Sequence, residues 1–385
     1  MEVNNLNKDR KNILIYITHS IGELDVILPL LTRLKSNYHL NVEIVFVVKK
    51  LYVMFINNKF YNYCTKLLNI NITYSQLPNK FDFRDVGLRN TKLGRIILLI
   101  FMKLMAIFQF PFHLKKLISC DIYMHEYTNQ TQSTIYMYLM ASIFNKKIFA
   151  YHHGHTINLD TKFFSNVENN NKTVYLNFHE HNNEYVKQLP YTKQKIIGYP
   201  KFFKEWIALI NRYYSSNSPR SDIVLIFTRG LSPVYMDRNK YEILIISAYK
   251  VIRDKLKNMP IVIKTHPRED HSLLLKIIND KKLENISISD EHAGVLSKSA
   301  LLVISFWTSA ILDSLSLGIP SIEYYIESNN FRSAEPAGSV FKKIGIHSTD
   351  NERVLGEFVE TVLNGRYLIP PIIQELSKNP NLNFL

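Results

Sequence analysis

The sequence predicts an α/β protein built from two Rossmann-like domains, each a parallel sheet covered by helices. Three observations carry that expectation. Short β-branched apolar runs alternate with longer stretches of helical periodicity, the pattern of βαβ units. At 385 residues the chain exceeds one typical core, so two domains are the default. Several apolar runs also give way abruptly to polar residues able to do chemistry, as expected where ligands bind outside the carboxyl ends of parallel strands. With 46% hydrophobic and 21% charged residues, no repeat and no low-complexity tract, the composition is that of a globular protein.

The first strand signal is ILIYI at 13–17. The loop that follows carries His19, Ser20, Gly22, Glu23 and Asp25 and enters the apolar helical run VILPLLTRLK. On residues alone, Glu23 and Asp25 could simply complement a helix macrodipole. A second strand, VEIVFVV, ends at Lys49 and Lys50. From 84 to 116 the character changes. An apolar run over 96–112 is broken by Lys103 and Gln109, ended by Pro111, and flanked by Arg84, Arg89, Lys92, Arg95, Lys115 and Lys116. A bilayer span needs about 20 predominantly apolar residues. The segment therefore reads either as a helix lying in an anionic membrane interface or as a buried helix with solvated ends.

CDIYMHEYTN and KIFAYHHGHT are two more strand ends, the second presenting His152, His153, Gly154, His155 and Thr156. Three histidines in four residues match no zinc spacing, and Cys64 and Cys120 are isolated, so neither a metal site nor a disulfide framework is expected. Imidazole does suit general-base work near neutral pH. VYLNFHEHNNEYVKQL gives a strand and a helix, and KIIGYPKF a last strand, with Gly198-Tyr199-Pro200 as a boundary signal.

The second domain opens with IVLIFT and the loop carrying Thr228 and Arg229, whose guanidinium fork suits phosphate. The stretch 261–324 organises the rest. The strand IVI gives way to Lys264, Thr265, His266 and Pro267. The strand LLVI gives way to Ser305, Thr308 and Ser309, which open a helical pattern running to Leu317 and stopped by Gly318-Ile319-Pro320, with Glu323 beyond. Hydroxyls at a helix start after a parallel strand suit an anion, although the same residues also serve as ordinary caps.

A strand ending in Lys-Thr-His-Pro, then a strand ending in Ser-x-x-Thr-Ser, then Gly-Ile-Pro-Ser and Glu323, resembles the nucleotide-binding domain of GT-B glycosyltransferases. It most resembles bacterial families with cytidine-activated donors: sialyl-, polysialyl- and Kdo-transferases, and CDP-glycerol glycerophosphotransferases. The resemblance spans roughly 223–345. It implies a GT-B fold with two domains facing a central cleft, and His266, Pro267, Ser305, Thr308 and Ser309 around the donor phosphate. Thr228, Arg229 and Lys264 would join them, and Glu323 would meet the ribose. It also implies that the Gly-bearing loop after the first strand faces the acceptor. His-Gly-His-Thr is similar to the His-Gly-Thr loop of the CDP-glycerol enzymes, with His155 inserted. The base stays open among Asp25, Glu23 and His153.

The implied domains are 1–205 on the acceptor side, 206–365 on the donor side, and a C-terminal helix and tail over 366–385 that crosses back. Lys and Arg outnumber Asp and Glu by 24 to 13 over 1–200, a charge of +11, and by 23 to 20 over 201–385, a charge of +3. Nucleic acid is the rival partner for so basic a chain, but no nucleic-acid motif is present. The expected partners are a nucleotide-sugar donor, a glycan or lipid-linked acceptor and an anionic membrane surface, without a metal cofactor. The absence of a signal peptide pattern points to the cytoplasm and the inner face of the membrane. The expected reaction is transfer of an acidic sugar from a CMP-activated donor. A CDP-glycerol-type polyol-phosphate transferase is the alternative, a UDP-GlcNAc 2-epimerase-like enzyme the third, and a non-enzymatic membrane scaffold the last.

Overall fold

A computed structural model describes residues 10–75, 110–127, 135–154, 170–180, 191–217, 222–232, 236–267, 269–327, 329, 332, 338–378 and 382. The chain forms two compact units, Met1–Pro200 with Asn379–Leu385, and Lys201–Lys378. The division falls at the Gly198-Tyr199-Pro200 turn, where Gly198 takes a φ of 77° open to a residue without Cβ.

The first unit contains a seven-stranded sheet in the order β3-β2-β1-β4-β5-β6-β7. Its strands are β1 (Lys11–Ile17), β2 (Leu40–Phe46), β3 (Ile70–Tyr74), β4 (Ile122–Glu126), β5 (Lys147–Tyr151), β6 (Asn170–Asn177) and β7 (Tyr191–Ile196). The second contains six strands in the order β10-β9-β8-β11-β12-β13. These are β8 (Ile223–Phe227), β9 (Ile261–Lys264), β10 (Ile286–Ser289), β11 (Ala300–Ser305), β12 (Ser321–Tyr324) and β13 (Ser348–Thr349). All pairings within both sheets are parallel. Parallel strands need covered faces, which explains why their sequences are continuous apolar runs rather than alternating ones.

Strand alternation divides each run between two cores. In β8, Val224 and Ile226 join a cluster with Leu244, Ile263 and Leu274, while Ile223, Leu225 and Phe227 pack on the other face with Ala293 and Val303. In the first unit, Leu14, Tyr16, Val45, Tyr123 and Ile148 form one such face, covered by Leu117 of a helix over 110–119. That helix also buries His113, whose Nδ1 lies 2.7 Å from the Tyr16 hydroxyl and whose Nε2 lies 3.2 Å from Ser75 Oγ. Its other side exposes Phe110, Phe112 and Ile118. The rest of the basic apolar segment, 84–109, lies outside the described residues. Among the described residues no helix is long and apolar enough to cross a membrane.

One side chain fastens the loops at the amino edge of the second sheet. From the helix Arg238–Lys255, the Arg253 guanidinium donates to the carbonyls of Lys257 (3.2 Å), Met259 (2.7 Å), Glu284 (2.9 Å) and Asn285 (3.2 Å). Hydrogen bonds from a charged group are worth about 1.5–3 kcal/mol. Arg253→Ala should therefore lower unfolding stability by about 2–3 kcal/mol, with an unchanged denaturant slope. A urea midpoint that does not move would show that the four carbonyls are equally well satisfied by water.

Candidate functional site

In each sheet the chain reverses its winding direction at one place, between β1 and β4 in the first and between β8 and β11 in the second. The crevice outside the carboxyl ends at such a switch point is where open parallel sheets bind ligands. The residues singled out by sequence gather at both places.

At the first switch point, Ser20 caps a 3-10 turn, Ile21–Glu23, through a capping box: Ser20 Oγ accepts from Gly22 N (3.2 Å), and Glu23 reaches back to the chain before it. Glu23 Oε1 accepts from the N–H groups of Thr18 (3.1 Å), His19 (2.6 Å) and Ser20 (3.1 Å). Its Oε2 accepts from the Tyr151 hydroxyl at the end of β5 (3.0 Å). The group is fully buried, and burial pushes its carboxyl from 4.5 to about 7, with the nearby Glu126 charge adding to the rise. His153 and the backbone N–H groups of His19 and Ser20 offset part of it. Burial likewise holds the Tyr151 hydroxyl well above its ordinary range.

Glu126, the buried last residue of β4, faces His153 just past β5, with Oε1 3.3 Å from Nδ1. Gly154, at a φ of 89°, makes the turn directly after it. The His153 side chain is 20% exposed while Glu126 is sealed, and the His19 ring lies 5.0 Å from that of His153. An imidazole donating from Nδ1 to a carboxylate presents Nε2 as an acceptor, the arrangement a general base requires. Asp25 lies in the first turn of the helix Leu24–Asn37, where its Oδ1 accepts from the Tyr61 hydroxyl (2.7 Å). Of the three base candidates, Glu23 is enclosed, Asp25 is engaged by Tyr61, and His153 combines partial exposure with a buried carboxylate behind it. His155 and Thr156 lie outside the described residues.

At the second switch point the organising group is Glu269, two residues past Pro267. Its Oε2 accepts from Thr228 Oγ1 (2.6 Å) and from His266 N (3.2 Å), and its Oε1 from the Tyr241 hydroxyl. His266 is half-buried and Pro267 exposed at this bend, and the Lys264 carbonyl accepts from Thr228 N (3.1 Å), tying β8 to β9. Arg229 donates to the carbonyl of Trp307 (3.1 Å). Trp307 adopts a φ of 54°, a left-handed conformation costly for a bulky side chain, so the Arg229 contact helps to hold the bend after β11.

Ser305 Oγ donates to the Thr308 carbonyl (3.2 Å), and Thr308 Oγ1 accepts from Ala310 N (3.4 Å). Ser309 sits in the following turn, and the helix occupies Ile311–Ser316, a shorter span than the sequence pattern that ran to Leu317. Asp313 in that helix forms a buried ion pair with Lys201. Glu323, within β12, is sealed from solvent, with Oε2 accepting from Ser348 Oγ (2.8 Å) and from the Ser339 hydroxyl. Thr228 Oγ1 and Glu323 Oε2 are thus drawn into internal bonds, while Arg229, Lys264, His266, Thr308 and Ser309 are only partly buried.

Sequence reasoning did not single out Glu126, Tyr151, Glu269 or Trp307. A carboxylate ending the strand IYMHE, and the acid inside HPRED, were the available signals. Among the described residues no group of three or more His, Cys, Asp or Glu side chains is arranged to hold a metal ion.

No protein-family model and no curated protein matches the chain. Solved structures do resemble it. The Glycyrrhiza uralensis enzyme UGT73P12, complexed with glycyrrhetinic acid 3-O-monoglucuronide, superposes with a TM-score of 0.53 at 11% identity, over 96% of this chain and 91% of that one. UDP-GlcNAc 2-epimerase from Methanocaldococcus jannaschii gives 0.52 at 12% identity over 92% and 93%. Phytolacca americana UGT2, complexed with UDP-2-fluoro-glucose and pterostilbene, gives 0.51 at 10% identity over 95% and 93%. Together with the two parallel sheets, these likenesses establish a GT-B α/β fold.

The buried acid generates a pH signature. The folded Glu23 value of about 7 exceeds its ordinary 4.5, so the group's contribution is complete below pH 4.5 and is lost as pH rises through 7. His113 and His125, both lowered from 6.5 to about 4 chiefly by burial, act with the opposite sign: their contribution is complete above pH 6.5 and is lost as pH falls through 4. Comparing Glu23→Gln with the parent isolates the first effect. The variant's stability relative to the parent should climb by about 3 kcal/mol between pH 4.5 and pH 8, measured by urea unfolding. A pH-independent difference would show that Glu23 carries its charge in the folded protein.

Proposed function

We propose that the protein is a glycosyltransferase, with His153 as general base on the first unit and a donor-phosphate site at the ends of β8, β9 and β11 on the second. The observation that carries this reading is the His153–Glu126 pair at the first switch point, partly exposed on the histidine side and sealed on the carboxylate side. In the reaction, His153 Nε2 takes the proton of an acceptor hydroxyl. The hydroxyl oxygen bonds to the donor's anomeric carbon as the carbon–oxygen bond to the phosphate breaks. The electron pair leaves with the nucleotide, whose growing charge is met by Arg229, Lys264 and His266 and by the hydroxyls of Thr308 and Ser309, while Ser305 braces the turn that presents them. Cationic side chains in this role make a metal-independent reaction the expectation, checked by activity that persists in EDTA.

The donor we assign is a CMP-activated acidic sugar of the sialic acid, Kdo or related nonulosonate type. The support is the Lys-Thr-His-Pro and Ser-x-x-Thr-Ser pairing, which also suits a CDP-glycerol-type polyol-phosphate transfer. The acceptor is a glycan or lipid-linked saccharide. The basic apolar character of 84–116 supports a peripheral position on the inner face of an anionic membrane. An epimerase of the kind named for the Methanocaldococcus structure is the third reading, consistent with likeness of fold. It predicts product from a nucleotide-sugar without any acceptor.

A thermal-shift panel of CMP, CDP, UDP, ADP and GDP tests the donor class, because a ligand of the folded state raises its stability by mass action. CMP or CDP should give the largest shift, and a clear win for UDP or ADP would remove the cytidine assignment. His153→Ala should lower turnover by about 10²–10⁴-fold, the usual share of a general base, with a melting temperature like the parent's. His266→Ala should lower turnover by about a hundredfold, the scale of one preorganised donor, with a smaller effect on nucleotide affinity. Variants that melt normally and turn over at the parental rate would dismantle both assignments.

A further inference from the structure

The first sheet's amino edge, at the opposite ends of β4 and β5 from Glu126 and His153, combines features that the reaction does not use. Ile118, near the end of the helix over 110–119, is 52% exposed. Ile143, the last residue of the helix Ile135–Ile143, and Phe144, in the turn after it, are 70% and 36% exposed. These belong to one surface, because Lys146 reaches from that turn to donate to the Ile118 carbonyl (2.8 Å). Asn145, at a φ of 51°, makes the left-handed bend that turns Ile143 and Phe144 outward before β5 begins. Lys172 of β6 bonds the Ser142 carbonyl (3.5 Å), and the pairing of Thr173 with Ile148 sets it beside Lys147. Asp121 also lies at this edge, with its carboxylate accepting from Asn12 N (2.8 Å). The bond from Lys146 to a neutral carbonyl fixes that side chain in place at the edge.

We propose that this edge docks onto an anionic lipid bilayer, inserting Ile118, Ile143 and Phe144 among the headgroups while Lys146, Lys147 and Lys172 meet the phosphates. Exposed large apolar side chains ringed by lysines are what an anionic interface recognises: the apolar groups gain by leaving water, and each lysine gains in the surface potential. A soluble acidic partner would account for the lysines but not for a 70% exposed isoleucine on the same edge. The surface lies in the basic half of the chain, where the charge is complementary to anionic lipid. The inference rests on the membrane reading given above, but assigns contact to residues other than 84–109. It also fixes an orientation. From Lys147 to His153 the chain advances about 20 Å at roughly 3.3 Å per residue, so the carboxyl edge with His153 faces away from the bilayer.

Flotation of the full chain with phosphatidylglycerol vesicles, against phosphatidylcholine vesicles, tests this. The parent should float with the anionic vesicles, and less at high salt. Ile143→Ser with Phe144→Ser, and separately Lys147→Glu with Lys172→Glu, should each lower partitioning by at least tenfold with parental melting temperatures. If the parent floats and these variants float equally, the assignment of the amino edge is wrong, whereas loss on replacing Arg89, Lys92 and Arg95 by Gln would leave the membrane reading standing. A parent that does not float removes both. A concentration-dependent dimer abolished by Ile143→Ser would overturn the inference by making a second copy the occupant; Ile143→Ser alone also serves should the double variants melt early.

Discussion

One carboxylate sets the geometry of the first unit. By accepting three consecutive backbone N–H groups and a hydroxyl from β5, Glu23 converts the turn after β1 into a rigid shelf and ties it to a strand two places away in the sheet. Three backbone donors would ordinarily hold a carboxylate ionised, yet complete burial with Glu126 close by outweighs them and raises its proton affinity. Glu126 faces His153 across 3.3 Å, so the shelf that Glu23 holds also sets the place of that pair.

The second unit solves a similar problem with the same means. Glu269 gathers Thr228, Tyr241 and the His266 backbone, so the ends of β8 and β9 and the start of the helix Arg238–Lys255 are held by one side chain. Arg229 does the corresponding work for the bend at Trp307. In both units the residues of the proposed site are therefore braced by neighbouring acids, as positional accuracy at a site requires.

The fold was legible where burial on two faces writes a continuous β-branched run, as in ILIYI, IVLIF and ALLVIS. It was not legible at β10 and β13, whose sequences ISIS and ST are short and half-polar because they lie at or near a sheet edge. The site was legible as strand ends rich in polar side chains. Which polar atoms are spent internally was not, since the first Ser of Ser-x-x-Thr-Ser reads the same whether it binds phosphate or, as Ser305 does, braces its own turn. Glu23 and Tyr151 are separated by 128 residues, and no local pattern announces such a pair.

The strand order gives the assembly of the first sheet a direction in time. β1, β2 and β3 are consecutive in the chain and pair with one another, so this half can form as soon as it is synthesised, while β4 and β5 follow only after the long connection beyond Tyr74. Parallel pairs cannot close as hairpins, and such distant pairing is slow. Until β5 arrives, Glu23 lacks its Tyr151 partner and much of the burial that raises its proton affinity, and between pH 4.5 and 7 it is ionised. Between those pH values the step that completes the shelf therefore also takes a proton from solution, which the earlier pairing of β1 to β3 does not.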